Sequence, residues 1–159
     1  MGGSPGDNMY SFESLKAGQT FSSSARTLTE TDLVTFCMIT GDWHAIHADE
    51  EHAKETRIGR RMFHGSFGIA LAIAQSADLL PLKNKIVAAL GLKDWLFKAP
   101  LFIGDTVHTE LVITGTRVTS DGRRGVLSRT LRLVKHDATV AQEGLAELLV
   151  ELEAAGKSA

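Results

Sequence analysis

The sequence has a single cysteine among 159 residues, so no disulfide can form within the chain and a reducing compartment is expected. Cys37 itself sits in the apolar pattern "LVTFCMI" and reads as a buried filler. No stretch approaches the roughly 18 consecutive apolar residues of a membrane span. The opening "MGGSPGDNMY" lacks the basic start and apolar middle of a signal peptide, and a cytoplasmic protein follows as the expectation. A net charge of −2 gives no global pull toward nucleic acid or an anionic membrane. Internal repeats, low-complexity segments and interdomain linkers are missing too. So is the "GxSxG" turn of a serine nucleophile, and the cysteines of a compact zinc pattern are not there.

What remains is one domain of ordinary composition, 43% hydrophobic and 23% charged. Residues 1–10 read as a leader, 11–152 as the folded domain and 153–159 as a tail. In "TETDLVTFCMITG", Thr29 is a candidate N-cap with Asp32 three residues on, the carboxylate form of a capping box. Gly41 ends that helix where a left-handed residue is usual. Asp49 caps a second short helix in "DEEHAKE". The segment 65–81, "GSFGIALAIAQSADLLP", is apolar nearly all round and predicts a helix enclosed on all sides.

Beyond Val87 the pattern changes to strands. Residues 105–119 alternate, with Val107, Thr109, Leu111 and Ile113 on one face. "SDGRRG" is a hairpin connection, 126–134 alternates again, and "HDAT" makes the next turn. The final "VAQEGLAELLVELE" carries the composition of a helix in the position of a strand, and strand is the reading adopted. An enclosed helix followed by three or four long antiparallel strands gives an α+β class with a curved sheet wrapped around that helix.

The chemistry concentrates in "GDWHAIH", where Asp42, His44 and His47 share one turn; three of the six histidines lie between residues 44 and 52. A carboxylate and an imidazole aimed at one point can hold a water between them. One abstracts its proton, and the other delivers or takes back a proton at a neighbouring carbon. Reversible addition of water to a polarised double bond needs such a pair. In "FHGSFG", Gly65 opens the apolar helix, and its backbone N–H, reinforced by the helix dipole, is a donor for an enolate oxygen. A metal bound by His44, His47, His52 and Asp42 fits no compact ligand spacing, so neither metal nor cofactor is expected.

"TGDWHAIHADEEHA", "GRRMFHGSFGIALA" and "KAPLFIGDTV", in that order, resemble the MaoC-like dehydratase family, that of the (R)-specific enoyl-CoA hydratases. The resemblance runs from about residue 11 to 152. It implies a hot-dog fold, an antiparallel sheet around a long central helix. It also implies that Asp42 and His47 activate water, that Gly65 holds the thioester oxygen, and that a trans-2-enoyl thioester becomes an (R)-3-hydroxyacyl thioester. A homodimer, or an oligomer built from dimers, with the acyl tunnel near its interface is implied as well.

Two positions depart from the family pattern. His44 and Ala45 stand where Asn and Pro are usual, and His44 can replace the Asn in only one tautomer. Ile73 stands where some members have a serine, leaving Ser66 and Ser76 as candidate substitutes. His44, His64, Ser66, Arg60 and Arg61 are candidate substrate contacts. The basic run Lys54, Arg57, Arg60 and Arg61 suits the phosphates of a CoA or acyl-carrier arm if it is not merely a solvated face. Trp43, Met62, Phe63 and Phe67 read as core, any of them shortening an acyl pocket it lines, and Asp105 as a turn residue. Two other readings compete: a hot-dog thioesterase, which would release free thiol, and a non-catalytic acyl-thioester-binding or partner subunit.

Overall fold

The computed structural model describes residues 10–77, 79–80, 82 and 85–152. The leader and tail expectations lie almost wholly outside them. Tyr10, placed in the leader from sequence, belongs with the fold: it bridges to Leu82 and stacks edge-on with Phe21.

Helix α1 (Glu30–Thr40) starts at Thr29, whose hydroxyl accepts from the Asp32 N–H while the Asp32 carboxylate accepts from the Thr29 N–H. This is the expected capping box, a feature worth about 1 kcal/mol. Gly41 terminates the helix at φ 72°, with its N–H on the Cys37 carbonyl. Only glycine adopts that conformation freely. A short helix α2 (Ala45–Ala48), which no sequence signal announced, follows, and then α3 (Glu50–Glu55), capped by Asp49 as expected.

The sheet has strands β1 (Thr20–Ser22), β2 (Arg26–Thr27), β3 (Ile86–Phe97), β4 (Thr106–Val118), β5 (Arg124–Lys135) and β6 (Val140–Glu151). Every pairing is antiparallel; the order is β1-β4-β5-β6-β3, and β2 also pairs with β4. The C-terminal stretch is a strand, because its register on β5 places Gln142, Ala146 and Val150 in the interior. On β4 the alternation holds as read, with Val107, Thr109, Leu111 and Ile113 all buried. Each fully buried aliphatic side chain of this kind contributes about 1.5–3 kcal/mol.

The long apolar segment is helix α4 (Gly65–Ser76), lying across β4 and β5. Phe67, Gly68, Leu71, Ala72 and Ser76 face the sheet. Its enclosure is not complete, contrary to expectation: Ser66, Ala70, Ile73, Ala74 and Ala77 form an exposed stripe. The sheet, through β4 and β5, covers one side of the helix. β3 itself exposes Ile86, Val87, Leu90, Leu92, Leu96 and Phe97. No helix among the described residues is long and apolar enough to cross a membrane.

Candidate functional site

The site forms where the α1–α2 turn meets the N-terminus of α4. Asp42 follows the left-handed Gly41, so its side chain leaves α1 and turns back along the connection. Its Oδ1 accepts from the His44 N–H at 3.1 Å. His44 caps α2, its Nδ1 accepting from the Ile46 N–H at 3.3 Å. An imidazole nitrogen that accepts carries no proton, so neutral His44 has its hydrogen on Nε2. The cap thus requires His44 in this single tautomer. Trp43, expected in the core, is 52% exposed, since the turn carries it off the end of α1 and away from the sheet.

His47 projects from α2 into the fold and is 9% exposed. Its Nδ1 lies 2.7 Å from the Met62 carbonyl. A carbonyl only accepts, so Nδ1 holds the proton and Nε2 keeps a free lone pair. The Met62 segment is fixed in turn by Met62 N–H on the Ile46 carbonyl and Phe63 N–H on the Leu101 carbonyl. Burial holds the His47 pKa below the ordinary histidine range; the Met62 hydrogen bond opposes this, and the neighbouring His64 adds to it. Neutral imidazole is therefore the resting form at pH 7.

His64, buried immediately before α4, lies almost parallel to His47, with ring centroids 3.7 Å apart. Its Nε2 donates to the Asp42 carbonyl at 3.0 Å and stands 3.6 Å from the Asp42 carboxylate. One potential ligand atom from each of Asp42, His47 and His64 lies within 4.8 Å of the others. His44 and His52 lie outside that cluster. A water bonded at about 2.8 Å to two groups spans about 4.6 Å at its tetrahedral angle. Asp42 and His47 are therefore close enough to share one water.

Gly65 is the first residue of α4, where N–H groups have no partner within the helix. Its carbonyl accepts from Gln142 Nε2 at 3.1 Å, and Gln142 Oε1 accepts from Trp95 Nε1 at 3.1 Å. Gln142 is 3% exposed, and Gly68 admits it: a Cβ on Gly68 would collide with the amide. This brace on the Gly65 peptide was not found from sequence, because Gln142 lies 77 residues away and in a strand whose type was itself ambiguous. A cavity of about 260 Å³ adjoins Gly65 and Gln142 and is lined by Ile58, Met62, Phe97 and Leu101.

The remaining candidates are dispersed. Ser66 is exposed in the first turn of α4. Arg61 bridges Glu30 at 2.7 Å and Glu50 at 3.0 Å, so its fork is engaged within the fold. The guanidinium of Arg60 lies over the Phe102 ring at 3.7 Å. Phe63 and Phe67 are core residues and Cys37 is buried, as read. Asp105 is a turn residue, accepting from the Phe102 N–H and pairing with Lys135.

The MaoC like domain family model matches residues 13–133. A Rhodospirillum rubrum (R)-specific enoyl-CoA hydratase is 34% identical over 107 residues, which is 67% of this chain and 72% of that protein. The structure of a monoamine oxidase regulatory protein from Archaeoglobus superposes with a TM-score of 0.84 at 27% identity, covering 92% of this chain and 97% of that one. A Mycobacterium tuberculosis protein with a double hotdog fold superposes at 0.80 and 19% identity, over 95% of this chain and 47% of its own, a likeness of fold alone. Matched in this way over most of its length, the chain belongs to the MaoC-like domain family and has the hot-dog fold.

Proposed function

We propose that this protein reversibly hydrates a trans-2-enoyl thioester to the (R)-3-hydroxyacyl thioester, using no metal or cofactor. The observation that carries this reading is the fixed tautomer of His47, whose free Nε2 belongs to a ring held neutral beside the Asp42 carboxylate. The Asp42 carboxylate accepts a hydrogen bond from one O–H of the water, and that hydrogen stays on the oxygen. His47 Nε2 takes the other as the water oxygen bonds to C3, and the electron pair of the double bond moves through C2 onto the thioester oxygen. The Gly65 N–H receives that oxygen. The imidazolium then returns its proton to C2, which closes the balance and resets the base. His64, stacked on His47, disfavours a lasting imidazolium and so favours the return.

A panel of trans-2-enoyl-CoA thioesters of different chain length tests this directly. Loss of the enoyl group without release of thiol is the expected result. Thiol release would assign a thioesterase, and tight binding without turnover across the panel would assign a non-catalytic subunit.

The pH profile follows from the direction of the His47 shift. The base acts only when neutral and its pKa lies below about 6.5, so kcat/KM should be flat near neutrality and fall only at more acid pH. An acid limb centred above 6.5 in a kcat/KM profile would contradict His47 as the base.

Gln142 acts in this scheme as a positioning residue. Gln142→Glu keeps an acceptor for Trp95 but turns a carboxylate toward the Gly65 carbonyl. A fall in kcat of about tenfold or more with KM little changed is expected, as for an interaction made in the transition state. A rise in KM alone would place Gln142 in ground-state binding instead.

The site is completed by a second copy of the chain. Met38, Ile39 and Trp43 are exposed beside Asp42, whose own side chain is 52% exposed, while β3 presents an unpaired apolar edge. Such edges need a cover. Pairing the β3 edges of two copies about a two-fold axis would supply one. Light scattering at micromolar concentration should give a dimer or a multiple of it; a fully active monomer would overturn this arrangement.

A further inference from the structure

One inward-facing side chain of β5 has no part in hydration. Val126, Leu127, Leu131 and Leu133 on this strand are buried, and Arg129 is buried among them at 6% exposure. A guanidinium offers five donors and keeps its charge in proteins. Among the described residues Nη1 reaches only Ser76 Oγ, at 3.5 Å, and Nε has no partner. None of the ion pairs among the described residues includes Arg129. Burial brings its pKa down to about 10, so it remains a cation at neutral pH. An unpaired buried cation is strongly disfavoured unless an anion joins it.

Space for an anion adjoins it. Cavities of about 140 and 200 Å³ are both bounded by Arg129, Ile73 and Leu148. Their other walls are mostly apolar, with Leu80 and Ile86 in one and Leu92 in the other. They are distinct from the cavity beside Gly65. Arg129 is paired with Ala146 on β6, four residues or about 13 Å along the strand from Gln142. Between them the Trp95 indole lies on Gly144, where any Cβ would strike it.

Glu147, which also borders the second cavity, is already paired with Lys93, so mostly apolar walls meeting at one fork of donors match a hydrocarbon body with a carboxylate end. We propose that the space between α4, β3 and β5 is a binding site for an aliphatic carboxylate, received by Arg129 with the Ser76 hydroxyl beside it. Two sources present this chemistry: a free carboxylic acid of medium chain, and the distal carboxylate of a dicarboxylic acyl thioester. The second rests on the hydratase reading and the first does not.

Calorimetric titration of the intact protein with sodium octanoate and with 1-octanol tests the receptor without any use of activity. Octanoate should bind one per chain, with octanol at least tenfold weaker. Arg129→Met, similar in length and uncharged, should keep the fold and lose octanoate affinity at least tenfold; Arg129→Lys should fall between. If Arg129→Met does not fold, octanoate against octylamine on the unaltered protein decides, with octylamine expected not to bind. A second arm compares enoyl-CoA thioesters of equal length ending in carboxylate or methyl. An Arg129-dependent preference for the carboxylate identifies the thioester as the source, and equal use with octanoate still bound identifies the free acid. The proposal is overturned if octanoate binds no better than its uncharged and cationic counterparts and the carboxylate-ended thioester gains nothing from Arg129.

Discussion

Asp42→Asn and His47→Gln are each expected to remove most turnover while leaving the fold intact. The structure explains why both variants should fold. The Asp42 carboxylate accepts from the His44 N–H, which an asparagine oxygen can also do. His47 donates from Nδ1 to the Met62 carbonyl, and a glutamine amide carries a donor that can replace it. Neither replacement supplies what the reaction needs. Asparagine lacks the charge that steadies the imidazolium, and glutamine has no lone pair able to take a proton at neutral pH. A positioned acid–base group typically contributes 10² to 10⁴ in rate, or about 3–5 kcal/mol of barrier. Since both groups act on one water, the double variant should be little slower than the slower single. Near-parental rates in both singles, with every enoyl-CoA the unaltered protein hydrates, would withdraw the assignment.

Gly65→Val should be nearly as damaging with both members of the pair untouched. Losing one donor to a developing oxyanion costs about 2.7–4 kcal/mol, a rate loss of roughly 10² to 10³. The donor here is a backbone N–H, so only a change in shape or backbone can remove it. A Cβ at Gly65 would lie 2.8–3.2 Å from three atoms of the Phe97 ring, inside ordinary contact distance. Phe97 is 60% exposed and can swing aside, so the fold should survive. The backbone has less freedom, because Gln142 holds the Gly65 carbonyl and the His64 carbonyl, in the peptide that carries the N–H, accepts from Phe67. The branched side chain therefore fills the approach to the N–H. Gly65→Ala should show a smaller loss of the same kind. A soluble Gly65→Val protein with parental kcat would remove this loop from the mechanism.

Local signals were read well because their causes are local. Thr29 with Asp32, Gly41 and Asp49 each satisfy backbone groups within a few residues, and each stands where the pattern placed it. The alternation of β4 is likewise a property of one strand facing one core. Where composition and position disagreed, in Val140–Glu151, position was the better guide, since the strand is held by neighbours rather than by its own propensity. Three features escaped for the opposite reason. The stacking of His64 on His47, the Gln142 brace and the weakly partnered Arg129 depend on segments distant in sequence that only the tertiary fold brings together. The exposed stripe of α4 escaped because an apolar pattern shows that a helix wants cover without showing whether its own chain supplies it.

The most direct measurement is the configuration at C3 of the 3-hydroxyacyl-CoA formed from a trans-2-enoyl-CoA, by chiral separation after full conversion. Asp42, His47 and Gly65 are fixed relative to one another, so water reaches one face of the double bond only. The account predicts the (R) product alone, with no free thiol. An (S) or racemic product, or thiol released in place of the hydroxyacyl thioester, would contradict it.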